Sequence, residues 1–217
     1  MVRTLFIVVC LGFWAPAWAE DAPPLDPALF DEGVEAYMAG DYVTAYVKWL
    51  PFAKAGDPAA QRNIGHMHRK GLGVSQSFER AYQLFKMSAY RGLPTAMGNL
   101  ALAYYKGEGT DKNHTEARHW FEQAARLHHA LSQYHYAYML HRGLGGSKDI
   151  REAFEWYAVA AFSGIDPAGQ MMVLLIDDLP PPAVLRAYQR KGPEPSHRRT
   201  HRPSKQMLEA QRPGALR

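Results

Sequence analysis

The sequence contains 10 histidines, the side chains that most readily bind a metal ion or transfer a proton near neutral pH. A zinc site needs three or four ligands around one point. At the spacing of 36 residues that recurs in this chain, however, His66 is followed by Leu102 and then by Tyr138. The histidines therefore do not align at a common position, and we expect no metal site and no cofactor.

Catalytic motifs are also lacking in the sequence. Nucleophilic catalysis would require a serine or threonine held by a base and by a third, orienting group. There is no Gly-x-Ser-x-Gly turn and no glycine loop of the kind that binds phosphate, and Asp177-Asp178 is an isolated acidic pair. We interpret this pair as the solvated end of a helix and expect a chain that is not an enzyme.

Positive charge is concentrated at the C-terminus. The residues after Leu185 include 9 basic and 2 acidic side chains, whereas 16 basic and 19 acidic side chains precede that point. We expect the segment 192–217, which is rich in Pro and Arg, to be a disordered basic tail. Its function, if it has one, would be to bind a polyanion or a membrane surface by charge alone. The basic residues concerned are Arg198, Arg199, Arg202, Lys205, Arg212 and Arg217.

The N-terminus has the three-part pattern of a secretory signal peptide. Arg3 precedes an apolar run over 5–14, and Ala17-Trp18-Ala19 supplies small residues before the expected cleavage site. We therefore predict that residues 1–19 are removed, that 20–27 form a linker, and that the protein is periplasmic or secreted. The only cysteine, Cys10, would be removed with the signal peptide, and no disulfide would remain.

Between these ends, residue types recur at a spacing of 36, which is typical of a repeat protein. Glycines recur at 71, 107 and 143 and again at 73, 109 and 145, and large aromatic residues at 49, 85, 121 and 157. Alanines recur at 45, 81, 117 and 153 and at 53, 89, 125 and 161. The spacing predicts a helical hairpin in each repeat, because one hairpin cannot bury its apolar face without its neighbours.

The ends of the two helices in each hairpin can be predicted from capping residues. First helices begin near Asp57, Leu93 and His129 and end before the glycines that follow Lys70, Lys106 and Arg142. Second helices begin after residues whose side chains accept from the first turn, with capping boxes completed by Glu116 and Glu152. These N-cap residues are Asp41, Ser77, Asn113 and Asp149. The buried positions of the first helices are expected at 60, 96 and 132; 64, 100 and 136; 65, 101 and 137; and 67, 103 and 139.

The resulting pattern resembles the Sel1-like repeat, a relative of the tetratricopeptide repeat. It consists of Ala60-Gln61, Ile64-Gly65, Gly71-Leu-Gly73-Val74, Ala81, Phe85, Ala89 and Gly92 and their equivalents over about 28–168. The resemblance implies an all-α, right-handed α-solenoid of about five helical hairpins over 28–191. The units would be 28–57, 58–93, 94–129, 130–165 and a degenerate cap over 166–191.

Two places depart from the repeat pattern. The opening unit, with Gly40-Asp41-Tyr42 and Trp49, has a shorter hairpin loop and looks more like a tetratricopeptide unit. In the third repeat, His128 replaces the glycine found at 56, 92 and 164, which puts the turn after Leu127 in doubt.

In this family the first helices line the concave side of the superhelix, where partner proteins bind. The polar and aromatic residues left over once the buried positions are assigned follow helical spacing, and we expect them to bind a partner protein. They are Arg62, Asn63, His66, Arg69, Asn99, Leu102, Tyr105, Tyr134, His135, Tyr138 and His141, with Gly98 between them. The resemblance therefore implies a non-catalytic scaffold of the cell envelope whose partner is another envelope or secreted protein.

A hydrolase is the remaining alternative. Cysteine-rich proteins with similar repeats have been linked to penicillin binding and hydrolysis. The mature chain expected here lacks every cysteine of that scaffold, and this alternative is disfavoured for that reason.

Overall fold

The computed structural model describes residues 25–179, and all regular structure in this range is helical. Four antiparallel helix pairs follow one another, and a ninth helix begins a fifth unit. The helices are α1 (Pro27–Met38), α2 (Tyr42–Lys54), α3 (Pro58–Lys70), α4 (Phe78–Tyr90), α5 (Pro94–Lys106), α6 (His114–Arg126), α7 (Ala130–Arg142), α8 (Ile150–Phe162) and α9 (Asp166–Leu175). A 3₁₀ turn over Ile176–Asp178 ends the described chain. The predicted α-solenoid of helical hairpins is confirmed.

The predicted N-caps of the second helices are confirmed. The side chains of Asp41, Ser77, Asn113 and Asp149 each accept from the backbone N–H three residues on, at 2.9–3.2 Å. The capping-box prediction is wrong in its second half, because the backbone N–H of Asn113 donates to Tyr104 O at 2.9 Å rather than to Glu116.

The N–H groups of Ser77 and Asp149 likewise donate to the preceding helix, at His68 O and Leu140 O. Each of these N-caps therefore holds the two helices of one repeat together. The second predicted box partner, Glu152, instead accepts from the Tyr136 hydroxyl and from Trp156 Nε1.

The second glycine of each pair explains why the glycine spacing is so regular. Gly109 and Gly145 have φ of 75° and 73°, in the left-handed region. A Cβ atom at either position would overlap a carbonyl oxygen at the start of the second helix in the preceding repeat, that of Phe78 or His114. These loops therefore pack directly on the neighbouring unit, and only glycine fits.

The predicted rows form much of the core, which also contains buried residues outside them, among them Met97, Trp120, Leu140 and Trp156. Every first-helix position named above is buried, and so are the alanines at 45, 81, 117 and 153 and the aromatic residues at 49, 85, 121 and 157. In the remaining alanine row, Ala53, Ala89 and Ala125 are buried, and Ala161, near the end of the described stack, is half-buried. Small residues let large ones fit: a Cβ on Gly65 would lie 2.8 Å from the Phe85 ring.

The first helices form the inner side of the stack. Each helix packs on the next along the chain. In addition, α3 contacts α5 directly, and no pair of second helices within 25–179 is in comparable contact. Arg62 on α3 also lies close enough to His129, before α7, to add to the effect of burial in lowering the pKa of that histidine. We call the side formed by α3, α5 and α7 the inner face.

The predicted signal peptide, most of the predicted linker, the end of the cap and the basic tail lie outside the described residues. Within 25–179, no helix has the length and apolar character needed to cross a membrane.

Candidate functional site: the inner face

All of the predicted partner-binding residues lie on α3, α5 or α7, and every one of them is half-buried. They are Arg62, Asn63, His66, Arg69, Asn99, Leu102, Tyr105, Tyr134, His135, Tyr138 and His141. The expectation for Gly98 is wrong, because this residue is buried where α5 approaches α7. A Cβ there would lie 2.8 Å from Ser132 Oγ and 2.9 Å from the His129 ring. Gly98 therefore allows close packing and presents nothing to a partner.

The N-terminal cleft lies at the start of the inner face and encloses about 240 Å³. Its lining residues come from the first unit and from α3: Val34, Tyr37, Trp49, Arg62, Asn63 and His66. Sequence reasoning identified the last three, assigned Trp49 to the core and missed Val34 and Tyr37. Those two belong to the opening unit, whose departure from the repeat spacing concealed their position.

Arg62 is the least satisfied polar group in this cleft. Its Nε atom is buried without a hydrogen-bond partner, and burial lowers the pKa of the guanidinium. Burial also lowers the pKa of His66, and the nearby Arg69, Arg62 and Lys70 lower it further. His66 is therefore neutral at neutral pH, and Arg62 is the charged group of the cleft.

The middle of the inner face is held in place by aromatic contacts with the second helices. The His135 ring stacks on Phe121 with ring centres 4.9 Å apart, and Tyr134 contacts the buried Tyr157 at 5.6 Å. Burial, together with the nearby His129 and Lys106, lowers the pKa of His135. These rings are rigid, and rigid aromatic groups lose little entropy when a partner binds.

Arg69 has an acidic neighbour that the sequence did not indicate. Its Nε atom lies 3.0 Å from Glu108 Oε2, and the other carboxylate oxygen of Glu108 lies 3.6 Å from Lys106 Nζ. One loop carboxylate thus forms salt bridges with two cations where α3 meets α5, and the shorter of the two is with Arg69. Arg69 contributes little free charge to a partner.

The C-terminal cleft, of about 450 Å³, lies where the ends of α5 and α7 meet the loops that follow them. It is lined by Tyr105, Lys112, His114, Tyr138, His141, Arg142, Leu144 and Lys148. Sequence reasoning identified Tyr105, Tyr138 and His141 but missed the three cations. Arg142 was interpreted only as a residue at the end of a helix, and the two lysines were not singled out. The spacing of 36 between Lys112 and Lys148 was the available signal.

The polar groups of this cleft act on one another. Partial burial raises the pKa of Tyr105, as do the proximity of Tyr138 and the side-chain hydrogen bond between the two residues. The pKa of His141 is lowered by burial and then by Lys148 and Arg142, while Asp178 opposes this effect. The cleft therefore contains positive charge and a neutral imidazole at neutral pH.

A third cavity lies away from the inner face, between α2, α3 and α4, and encloses about 670 Å³. Its walls include Tyr46, Leu50, the buried His68, Arg80 and Met87. His68 contacts the edge of the Tyr46 ring, with ring centres 5.9 Å apart. Across 25–179 no three His, Cys, Asp or Glu side chains come close enough together to hold a metal ion.

Comparison with known proteins identifies the repeat. The Sel1 repeat family matches residues 58–93, 94–129 and 130–161. The solved structures that match include a Sel1 repeat protein from Oxalobacter formigenes, 36% identical, with a TM-score of 0.64 over 67% of this chain and 60% of that one. They also include a protective antigen of uropathogenic Escherichia coli strains that displays an SLR fold, 28% identical, with a TM-score of 0.64 over 67% of this chain and 32% of that one.

The chain thus covers less than two thirds of the length of either protein. A comparison with the curated proteins finds no match. The three matched repeats coincide with the hairpins α3–α4, α5–α6 and α7–α8. Residues 58–161 are therefore Sel1 repeats, and the fold is that of Sel1 repeat proteins.

Proposed function

We propose that this chain is a non-catalytic scaffold that binds a partner protein along its inner face. The Sel1-repeat fold is generally a protein–protein interaction scaffold, which supports this assignment at the level of the fold. The observation that carries it is the inner face itself, where rigid aromatic side chains and incompletely paired cations lie between two clefts.

The composition of the inner face suits protein binding. Aromatic and arginine side chains in partly desolvated pockets contribute most of the energy in protein interfaces. Tyr37 and Arg62 provide such groups at one end, and Tyr105 and Tyr138, beside the exposed Arg142, provide them at the other. A partner segment that spans both clefts would contact four successive units.

Site-specific photo-crosslinking in intact cells tests this proposal. A photo-reactive amino acid placed at Asn99, midway along the inner face, is expected to crosslink one partner protein. The control is the same amino acid at Met87 on α4, which is 50% exposed but lies outside the inner face. If the same protein is captured equally from both positions, or none is captured from Asn99, the inner face is not the binding surface.

We further propose that the partner is an envelope or secreted protein. The support comes from the signal-peptide pattern of residues 1–19.

A further inference from the structure

The two junctions between successive repeats along the inner face differ in charge balance. At the first junction, Glu108 forms salt bridges with Arg69 and Lys106. Thirty-six residues later, the position equivalent to Glu108 is occupied by Leu144. The loop after α7 thus supplies no carboxylate at the position where the loop after α5 supplies one.

The second junction retains one of the two cations that Glu108 pairs at the first, because Tyr105 stands 36 residues after Arg69. Arg142 is the equivalent of Lys106, and Lys112 and Lys148 occupy equivalent positions in the two loops beside it. Among the side chains described, no carboxylate lies within salt-bridge distance of these three cations. The nearest acidic influence is that of Asp178 on His141. Within the part of the chain that the structure describes, three cations therefore line one cleft without a salt-bridge partner.

The walls of the cleft are suited to a peptide rather than to a bare ion. The Arg142 guanidinium lies 5.9 Å from the centre of the Tyr138 ring. The Tyr105 and His114 rings are also in contact, with ring centres 5.3 Å apart. The Nδ1 atoms of His114 and His141 are buried without hydrogen-bond partners. The open cleft, of about 450 Å³, accommodates an acidic side chain together with an adjoining apolar one.

We propose that the C-terminal cleft binds a carboxylate of an acidic peptide segment, with Arg142 as its principal contact and Lys112 and Lys148 beside it. This inference rests on the proposed function, since the segment would belong to the partner protein. Arg forms strong, often bidentate hydrogen bonds with carboxylates. In the preceding repeat, Glu108 supplies the equivalent carboxylate from within the chain.

A peptide fits the observations better than an extended polyanion. Nucleic acid or a membrane surface is held by many cations spread over a broad face. Here the residues before Leu185 include more acidic than basic side chains, and the three unpaired cations converge on one cleft. A short segment with one or two carboxylates matches that distribution.

Fluorescence anisotropy with the full chain tests the inference. The probe is a labelled peptide of alternating Glu and Leu, and the matched probe has Gln in place of every Glu. We expect the Glu peptide to bind about tenfold more weakly to Arg142→Gln and to Leu144→Glu, which restores the missing carboxylate within the chain. The control is Lys70→Gln, at the equivalent position two repeats earlier and outside the cleft, which should leave binding unchanged.

Leu144 packs against the core, so its substitution also affects stability. A double variant with Lys112→Gln and Lys148→Gln avoids this problem, because both side chains are exposed. It should weaken binding of the Glu peptide to a similar degree. The C-terminal basic residues are the same in every variant, and binding by them alone would produce no difference between variants.

Equal binding of the Glu and Gln peptides, or equal binding by all variants, would overturn the inference. So would Arg142-dependent binding of phosphatidylglycerol vesicles without binding of the peptide. The proposed function fails separately: if Asn99 captures a partner but the Arg142 and lysine variants bind the Glu peptide normally, only the inference about the cleft is lost. If the peptide discriminates between variants but Asn99 captures nothing, only the scaffold assignment is lost.

Discussion

His128 occupies a left-handed backbone position that glycine holds at residues 56, 92 and 164. Its φ is 63°, yet the turn is retained, with the His128 N–H donating to Ala125 O at 3.0 Å. The side chain is exposed. The replacement of glycine by His128 therefore strains the backbone of this turn but does not change the path of the chain.

Replacement of His128 by Gly should stabilise the protein. A non-glycine residue in the left-handed region costs about 1–2 kcal/mol, and the greater freedom of glycine in the unfolded chain offsets about 0.5–1 kcal/mol of this. We expect a net gain of about 0.5–1 kcal/mol in the free energy of unfolding, measured by urea denaturation. His119→Gly, at an exposed position within α6, should instead lower it by about 1 kcal/mol. A loss of stability in His128→Gly would contradict the argument.

At the level of the helices and loops, the contact between units depends on the turn after each first helix. The Gly109 loop packs against the start of α4, and the Gly145 loop packs against the start of α6. The N-cap backbone groups bind the preceding helix within the same unit. The loops therefore join neighbouring repeats, and the caps join helices within one repeat.

Substitution of Gly109 by Ala should separate these effects. The added Cβ would overlap the backbone at Phe78, so that the loop or α4 must shift, and φ would be strained as well. We expect a loss of at least about 2 kcal/mol in the free energy of unfolding. The matched control is Gly164→Ala, where φ is 84° but nothing lies near the added Cβ, and where about 1 kcal/mol is expected. Equal losses in the two variants would show that contact between repeats contributes nothing.

For the whole molecule, the stack makes a binding surface out of side chains that are distant in sequence. Each cleft draws its walls from two successive units, and the inner face between them runs over α3, α5 and α7. A solenoid is stabilised by contacts between neighbouring repeats. A partner that spans both clefts therefore depends on the packing of the units that lie between them.

The proposed location outside the cytoplasm is tested on the whole protein in cells. We expect the purified protein to begin at Glu20, as measured by mass spectrometry of the intact chain, and to be recovered in the periplasmic or medium fraction. Ala19→Arg should block processing, because the cleavage site needs a small residue there. A full-length chain in the cytoplasmic fraction would refute this aspect of the proposal.

The local sequence was sufficient to predict most of the fold. The hairpin boundaries, the N-caps and the buried rows depend on chemistry that repeats every 36 residues, so each repeat supports the interpretation of the next. The positions of the eleven inner-face residues on α3, α5 and α7 follow from the same spacing. The hydrogen bonds of the Glu116 and Glu152 side chains could not be predicted in this way. The backbone N–H groups of the N-cap residues donate to carbonyl oxygens of the preceding helix and not to these carboxylates.

The clefts were decided only by the tertiary structure. Val34 and Tyr37 line the N-terminal cleft with residues of α3, but they belong to a first unit whose hairpin loop differs in length from the others. Arg142 and Lys112 line the same cleft only because two repeats stack. The pairing of Arg69 with Glu108, and its loss at Leu144, likewise depends on contacts between units. Residue types and their spacing determine which helices form and which faces they bury, whereas the distances between charges on different repeats exist only once those repeats are packed together.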